Sequence, residues 1–198
     1  MSKIAIKGNE SGTATFTIEA PATNTDRIFE LPDEAGKILT NATPGTVLQV
    51  VSTTKNDTFS ASLNTNTEID VTGLAASITP TSINSKILVT YYVHSSTDDN
   101  NNAIKHFVTR NGTKIGTNTT VSGIESVSST NAAFGTWYSP TNAVSFLDEP
   151  SSTSSLSYQV RASHTSTATR TIYVNRPAVL DVLFGRYVST ITLMEIAG

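Results

Sequence analysis

Cysteine is absent from this chain, and charged residues are scarce. The first absence excludes a disulfide framework and any metal site that uses thiolate ligands. Charged residues make up 15% of the 198 positions, and the formal net charge at pH 7 is −3. A chain with this balance has no basic field that could hold nucleic acid or an anionic membrane surface. The composition therefore argues against a nucleic-acid partner.

Long apolar runs are missing as well. No stretch approaches the roughly 18 apolar residues of a membrane-spanning helix, so we expect no membrane insertion. Lys3 and Lys7 enclose only three apolar residues, too few for the apolar part of a signal peptide. A polar chain without an export signal is typical of a particle component that is made inside a cell and exposed after lysis. A plain cytosolic β-protein is the alternative.

Thr, Ser and Asn make up more than a third of the chain. Thr is favoured in strands, and Ser and Asn are favoured in turns, so this composition predicts many short strands joined by loops. The longest run of β-branched and aromatic residues, Lys86–His94, is the predicted central strand. Its alternate positions divide into an apolar face and a mixed face. The apolar face carries Ile87, Val89, Tyr91 and Val93, and the mixed face carries Leu88, Thr90 and Tyr92.

The remaining strands are predicted in the same way, and no segment shows a convincing helical period. Asn111-Gly112 is the strongest hairpin signal in the chain. The other predicted strands span residues 47–51, 57–63, 68–71, 74–79, 103–110, 114–116, 134–139, 144–147, 156–162, 170–174 and 188–196. This spacing predicts an all-β fold, a jelly-roll-type antiparallel β-sandwich over residues 45–198 that begins at Pro44-Gly45.

Residues 1–44 form a separate, extended and β-rich arm in this prediction. The segment has too few apolar side chains for an independent core. We therefore expect the arm to fold only against another copy, the sandwich or a neighbouring particle protein, and to dock by adding strands to a sheet edge. The apolar anchors expected for this docking are Phe16, Ile18, Ile28 and Leu31.

The arm contains GTATFTIEAPATN at residues 12–24, LPDEAG at 31–36 and LT at 39–40. In this spacing the segments resemble tail-fibre and other structural proteins of tailed phages, especially marine ones. Further segments are similar to short β-rich proteins of the same phages: GTVLQVVSTT at 45–54, SITP at 77–80, SKILV at 85–89, FGR at 184–186 and STITLMEI at 189–196. Together these segments cover about half of the chain, and none carries a catalytic residue.

The resemblance implies a virion structural protein rather than an enzyme. It implies a homo-oligomer, most commonly a trimer, that binds other virion proteins through residues 1–44. A tail-fibre or other tail-attached component with a host-contact role is the leading expectation, and a capsid decoration protein is the alternative. From another functional class, a carbohydrate-active enzyme or a sugar-binding module is also considered, because β-sandwiches often host such sites.

In a chain without cysteine, histidines and carboxylates are the candidate metal ligands. A site built from all three histidines needs their side chains to converge on one face, and an isolated histidine is more often structural. Asp98–Asn102 matches the first half of a calcium loop, but Ala103 replaces the turn glycine and Thr109 the bidentate glutamate. We therefore expect neither a metal nor a cofactor. The three histidines, on predicted strands or strand ends, are His94, His106 and His164.

Trp137 and Tyr138 form the one aromatic pair near predicted loops, flanked by Gly135 and Pro140. Exposed aromatic rings beside hydroxyl and amide groups can stack on sugar rings, which suits contact with a host-surface glycan or receptor. The competing interpretation, which the sequence favours, is that the single tryptophan fills the core.

Catalytic signatures are missing: no nucleophile elbow, P-loop or dinucleotide fingerprint occurs. We expect no catalytic residue. The carboxylates of Glu30, Asp33 and Glu34 lie in the arm, where no pocket is expected to raise a pKa, and are interpreted as part of a turn. Charges are sparse over Val121–Thr169, which predicts either a segment partly buried between copies or a Ser/Thr-rich loop region.

Overall fold

The computed structural model describes residues 11–13, 17, 22, 24–26, 28, 43–65, 67–117, 128–130, 136–181, 183 and 185–198. The chain divides into two compact units, residues 1–37 and 38–198. All of the described strands belong to the second unit. The described ranges contain no helix long and apolar enough to cross a membrane.

Eleven strands are present in the described part of the second unit, and all of their pairings are antiparallel. They are β1 Val47–Lys55, β2 Phe59–Leu63, β3 Ile69–Ile78, β4 Lys86–Thr97, β5 Ile104–Arg110, β6 Thr113–Ile115, β7 Ser128–Thr130, β8 Thr141–Asp148, β9 Leu156–His164, β10 Arg170–Val174 and β11 Ser189–Ile196.

Two sheets share these strands. In the first sheet, β4 is flanked by β11 on one edge and by β8 on the other, and β1 lies outside β11. The last part of β4, Ser95–Thr97, pairs with β10, and β2 lies outside β10. The second sheet has the order β3-β9-β5-β6, and β7 pairs with the start of β5.

The chain crosses repeatedly between the sheets, although β1 and β2 stay in the first sheet, β5 to β7 in the second, and β10 and β11 in the first. β3 lies in the second sheet, β4 in the first, β5 and β6 in the second, β8 in the first, β9 in the second and β11 in the first. The resulting orders β1-β11-β4-β8 and β3-β9-β5-β6 are those of two interleaved Greek keys, which define a jelly roll. The predicted fold class, an antiparallel β-sandwich of jelly-roll type, is confirmed.

The inner faces of the two sheets enclose one apolar core. The predicted central strand, β4, contributes four fully buried apolar side chains in strict alternation, β9 adds three from the second sheet, and β11 adds two from the first. Burying an aliphatic or aromatic side chain of this size contributes about 1.5–3 kcal/mol, so this face dominates the stability of the unit. The fully buried core residues on these strands are Ile87, Val89, Tyr91, Val93, Tyr158, Val160, Ala162, Ile191 and Leu193.

The predicted hairpin is confirmed, but one predicted strand break is wrong. Asn111 and Gly112 join β5 to β6 with φ angles of 49° and 85°, the left-handed conformation that a tight hairpin turn requires. Residues 68–71 and 74–79, predicted as two strands, belong to the single strand β3. They meet at Gly73, whose φ of 82° and shifted register form a β-bulge.

The described part of the segment from Val121 to Thr169 is more regular than its composition suggests. Residues 141–148 and 156–164 are strands, so the interpretation of this whole segment as a loop region is wrong. In contrast, residues 136–139 of the predicted strand 134–139 are in a turn and an irregular segment. Pro140, which has no N–H for a strand ladder, ends this irregular part before β8.

A charged cluster joins the two sheets at one edge of the core. Arg110 Nη1 on β5 donates to both carboxylate oxygens of Asp148 on β8, at 2.7 Å each. The Tyr158 hydroxyl on β9 donates to the same carboxylate, also at 2.7 Å. Burial, together with the hydrogen bond to Asp148, raises the pKa of Tyr158, so the hydroxyl keeps its proton and remains a donor. Three strands from two sheets therefore share one carboxylate.

A second buried carboxylate lies on the inner face of β11. Glu195 has no exposed surface, and its carboxylate accepts hydrogen bonds from Gln49 Nε2 at 2.6 Å and from the Thr81 N–H at 2.7 Å. Burial disfavours the charged form, but the hydrogen bonds from Gln49 and Thr81 outweigh it and hold the pKa of Glu195 below its ordinary value. The loop before β4 is thereby fastened to β1 and β11.

We expect Asp148→Asn to lower the free energy of unfolding by roughly 2–3 kcal/mol, because it leaves the largely buried Arg110 guanidinium without its counter-charge. Chemical denaturation measures the loss. Glu149→Gln is the matched control, since Glu149 pairs with Lys86 at the surface and such pairs contribute less than about 1 kcal/mol. Equal losses in the two variants would contradict the role given to Asp148.

Candidate contact surface

Trp137 and Tyr138 lie in the connection that leads into β8. Their side chains are 47% and 59% exposed, so the interpretation of Trp137 as a core residue is wrong. The core is filled instead by other large side chains, among them Tyr91 and Tyr158, which are fully buried. The connection is anchored at its end, where the Pro140 carbonyl accepts a hydrogen bond from the Ser95 N–H at 3.2 Å. The two rings therefore sit on a fixed loop.

A second loop, residues 175–188 between β10 and β11, lies against the first. The Val179 N–H donates to the Thr136 carbonyl at 3.1 Å, which links the two loops directly. This second loop also presents large exposed apolar side chains, at Leu180, Leu183 and Val188. We call residues 136–140 and 175–188 the aromatic loop pair. It carries exposed rings on one loop and exposed aliphatic side chains on the other.

Asn175 anchors the second loop at its first residue. The residue is fully buried and has a φ of 63°. Its Nδ2 donates to the carbonyls of Lys55 and Asp57 at 2.8 and 2.9 Å, and its Oδ1 accepts from the Ser189 hydroxyl at 2.6 Å. Its N–H donates to the His94 carbonyl at 2.9 Å. The Asn175 side chain thus joins the β1–β2 turn to β11, and the Asn175 backbone N–H is bonded to β4.

His94 connects the loop pair to the face of the first sheet. Its imidazole stacks on the Tyr187 ring, with centroids 4.8 Å apart and an angle of 16° between the planes. Its Nδ1 lies 3.0 Å from the Thr141 hydroxyl at the start of β8. In the same loop, the Arg176 guanidinium lies 4.1 Å from the centroid of the Tyr173 ring, a cation–π contact. Both ends of the second loop are therefore held by ring contacts.

The three histidines do not meet in one site. His94 is partly exposed, whereas His106 and His164 are buried between the sheets. His106 Nε2 lies 3.2 Å from the Ser95 hydroxyl. His164 Nδ1 accepts from the Ser166 N–H, so its Nε2 carries the proton and donates to the Leu63 carbonyl at 2.9 Å. In the described part of the chain, no group of three or more His, Asp or Glu side chains could hold a metal ion.

The Asp98–Asn102 loop uses its carboxylates within the protein. Asp98 Oδ2 accepts from the Thr171 N–H at 3.0 Å. Asp99 Oδ2 pairs with Arg170 at 2.6 Å, and Asp99 Oδ1 accepts from the Asn101 N–H at 2.9 Å. These bonds tie the end of β4 to β10. The half-match to a calcium loop is explained by this structural use.

The other predicted site residues belong to the arm. Ile28, one of the four predicted anchors, has its side chain 88% exposed. The remaining members of the two predicted sets lie outside the described residues, and these are Phe16, Ile18, Leu31, Glu30, Asp33 and Glu34.

The second loop is the part of this surface that sequence reasoning missed. Its exposed Leu180 and Leu183 follow no strand or helix period, so no pattern points to them. Asn175 did offer a signal, because it directly follows the strand-forming run at 171–174 and asparagine tolerates the left-handed conformation better than most residues. The hydrogen-bond partners of Asn175 lie far away in the sequence and could not be inferred.

No protein-family model matches the chain, and no curated protein does. Among solved structures, it is similar to the infectious bursal disease virus VP2 subviral particle, with a TM-score of 0.42 and 14% sequence identity over 85% of this chain. The match covers 46% of the viral chain, so the present chain spans less than half of that protein's length. A similarity this distant carries no functional argument, and the jelly-roll assignment rests on the strand order.

The stability of the second unit should depend on pH through His106. Burial lowers the pKa of His106 from 6.5 to about 4. The unfolded chain therefore binds more protons than the folded chain between these values, and stability decreases as pH falls from about 6.5 to about 4. This difference corresponds to about 3 kcal/mol.

The measurement is the free energy of unfolding at neutral pH and at about pH 4, for the natural protein and for His106→Gln. Glutamine stays neutral at both values, so the variant should lose less stability on acidification. Carboxylates titrate equally in both proteins, which makes the difference between them specific to His106. An identical pH dependence would contradict the prediction.

Proposed function

We propose that this protein is a non-enzymatic structural component of a tailed-phage virion, attached to the tail and displaying its jelly roll toward the host. The resemblance of residues 12–40 and of the segments at 45–54 and 189–196 to phage structural proteins supports the virion assignment. Jelly rolls serve in both capsid and lectin domains, which suits a particle protein that contacts a cell surface. In this proposal residues 1–44 bind neighbouring virion proteins, and the chain assembles with copies of itself, most commonly as a trimer.

The exposure of Trp137 and Tyr138 on the aromatic loop pair carries the host-contact part of the proposal. A sugar ring presents an apolar C–H face that stacks on an aromatic ring, while its hydroxyls bond to nearby polar groups. The loop that holds both rings is tied to the second loop, and the second loop is tied to the buried Asn175. A surface fixed in this way loses little conformational entropy on binding. The ligand class proposed here is a host-surface glycan.

A capsid decoration protein is the second candidate. The same arm could bind a head lattice, and the jelly roll would then be displayed on the capsid. The resemblance of residues 12–40 to virion structural proteins favours this candidate as much as the first, because those segments do not distinguish head from tail. The position of the protein on the particle separates the two.

We expect Trp137→Ala and Tyr138→Ala each to reduce binding to host cells roughly two- to tenfold, since stacking on one ring contributes about 0.5–1.5 kcal/mol. The purified variants should keep the circular dichroism and thermal midpoint of the natural protein. Ile83→Ala is the matched control, because Ile83 is also exposed but lies in the loop before β4. Unchanged cell binding by correctly folded variants would refute the glycan contact.

Immunogold labelling of intact virions with an antibody against residues 45–198 tests the location. Label confined to the tail or its fibres is the expected result. Label spread over the head would replace the tail assignment with the decoration assignment, and unlabelled virions from a lysate that contains the protein would refute both.

A further inference from the structure

The outer face of the first sheet, on the side away from the core, is made of rows that cross four strands. Side chains that point away from the core on β1, β11, β4 and β8 fall into register as an apolar row, a hydroxyl row and a mixed row. We call these three rows the outer sheet face. They are Val50, Met194, Leu88 and Leu147; Ser52, Thr192, Thr90 and Ser145; and Thr54, Thr190, Tyr92 and Ala143.

The outer sheet face carries no charged residue. A typical soluble surface is about 25–35% charged, so three or four charges would be ordinary in an area of this size. The nearest charges along β4 and β8 are Lys86 and Glu149, which pair with each other at 2.7 Å beyond the apolar row. A charged partner would therefore find no counter-charge on this face.

The hydroxyl row is already hydrogen-bonded within itself. The Ser52 and Thr192 hydroxyls are 2.9 Å apart, and the Thr90 and Ser145 hydroxyls are 3.0 Å apart. Polar groups that are paired in this way can be covered at little cost, because they do not lose a hydrogen bond when water leaves. Both the apolar row and the hydroxyl row are thus suited to burial against another protein surface.

Exposed apolar side chains lie at both ends of the apolar row. Val50, on the edge strand β1, is 55% exposed, and Leu147, on the edge strand β8, is 47% exposed. The four strands, about 4.8 Å apart and at about 3.3 Å per residue, give the three rows roughly 380 Å², and the adjoining row that carries Lys86 extends the covered area over eight residues to roughly 500 Å². Two such faces together bury roughly 1,000 Å², the lower limit for a specific interface.

We propose that another copy of this chain covers the outer sheet face. Copies related by a two-fold axis parallel to the strands place apolar row against apolar row and hydroxyl row against hydroxyl row. Such an axis reverses the strand order across the contact, so β8 of one copy lies over β1 of the other and Leu147 meets Val50. This inference rests on the self-assembly in the proposed function, names the surface that performs it, and makes the unit of that contact a dimer rather than a trimer.

The absence of cysteine from the chain makes cross-linking a direct test. Packed sheets lie about 10 Å apart, too far for a disulfide, so an ethylene-bridged bismaleimide is the suitable reagent. With the purified full-length protein, Val50→Cys/Leu147→Cys should give covalent dimers on a denaturing gel, whereas covalent trimers would contradict the two-fold arrangement. Each single variant should remain largely monomeric on the gel, because equivalent positions lie on opposite edges.

Two controls test the register and the face itself. Thr54→Cys/Leu147→Cys displaces one thiol by two rows, about 13 Å, and should reduce cross-linking at least tenfold. Val50→Asp/Leu147→Asp should dissociate the assembly in sedimentation and keep the circular dichroism of the natural protein. Ile83→Asp, at an exposed position outside the face, should sediment like the natural protein. Equal cross-linking in the displaced pair, or a natural protein that sediments as a monomer, overturns the proposal.

The outcomes separate this inference from the proposed function. A purified protein that cross-links through Val50 and Leu147 but labels no phage particle refutes the virion role and leaves the interface standing. If the antibody labels particles but the purified protein is monomeric in solution, the interface is refuted and the virion role stands.

Discussion

Burial of one face of β4 is the constraint on which the rest of the second unit depends. Ile87, Val89, Tyr91 and Val93 have no exposed surface, and β11 and β8 pair with the same stretch of β4 on its two edges. Because side chains alternate along a strand, fixing the inner face also fixes which residues look outward. The core and the uncharged outer rows are therefore two consequences of one register.

Polar side chains inside the sandwich form hydrogen bonds between strands and loops that the apolar core does not connect. Asp148 connects two sheets through Arg110 and Tyr158, Glu195 connects the loop before β4 to β1, and Asn175 connects the β1–β2 turn to β11. Each has its hydrogen bonds made, which is the condition under which buried polar groups specify a single arrangement. This chain has no cysteine, so these hydrogen-bonded side chains fix the ends of loops, a role that disulfides have in other small β-proteins.

Features that depend on neighbouring residues were accessible from the sequence. The alternation in Lys86–His94 and the turn at Asn111-Gly112 follow from local periodicity and turn chemistry, and they lead to the correct fold class. Local patterns failed where distant contacts decide. The bulge at Gly73 looks like a break between two strands in the sequence. Trp137 looks like a core residue, because nothing in the sequence shows that Tyr91 and Tyr158 fill the core. The loop at 175–188 has no periodic pattern that would point to its exposed side chains.

The pairing of β1 with β11 also governs how the chain acquires its structure. Gln49 and Glu195, which bond across that pair, are 146 residues apart. Contacts of such long sequence separation slow folding, because most of the chain must be ordered before they form. During synthesis β1 cannot be joined to β4 in the first sheet until residues 189–196, which form the strand between them, have left the ribosome. Until then one edge of the apolar strand at residues 86–94 has no strand to pair with. Unpaired apolar strand edges promote aggregation, so we expect a cellular chaperone to bind this segment during synthesis.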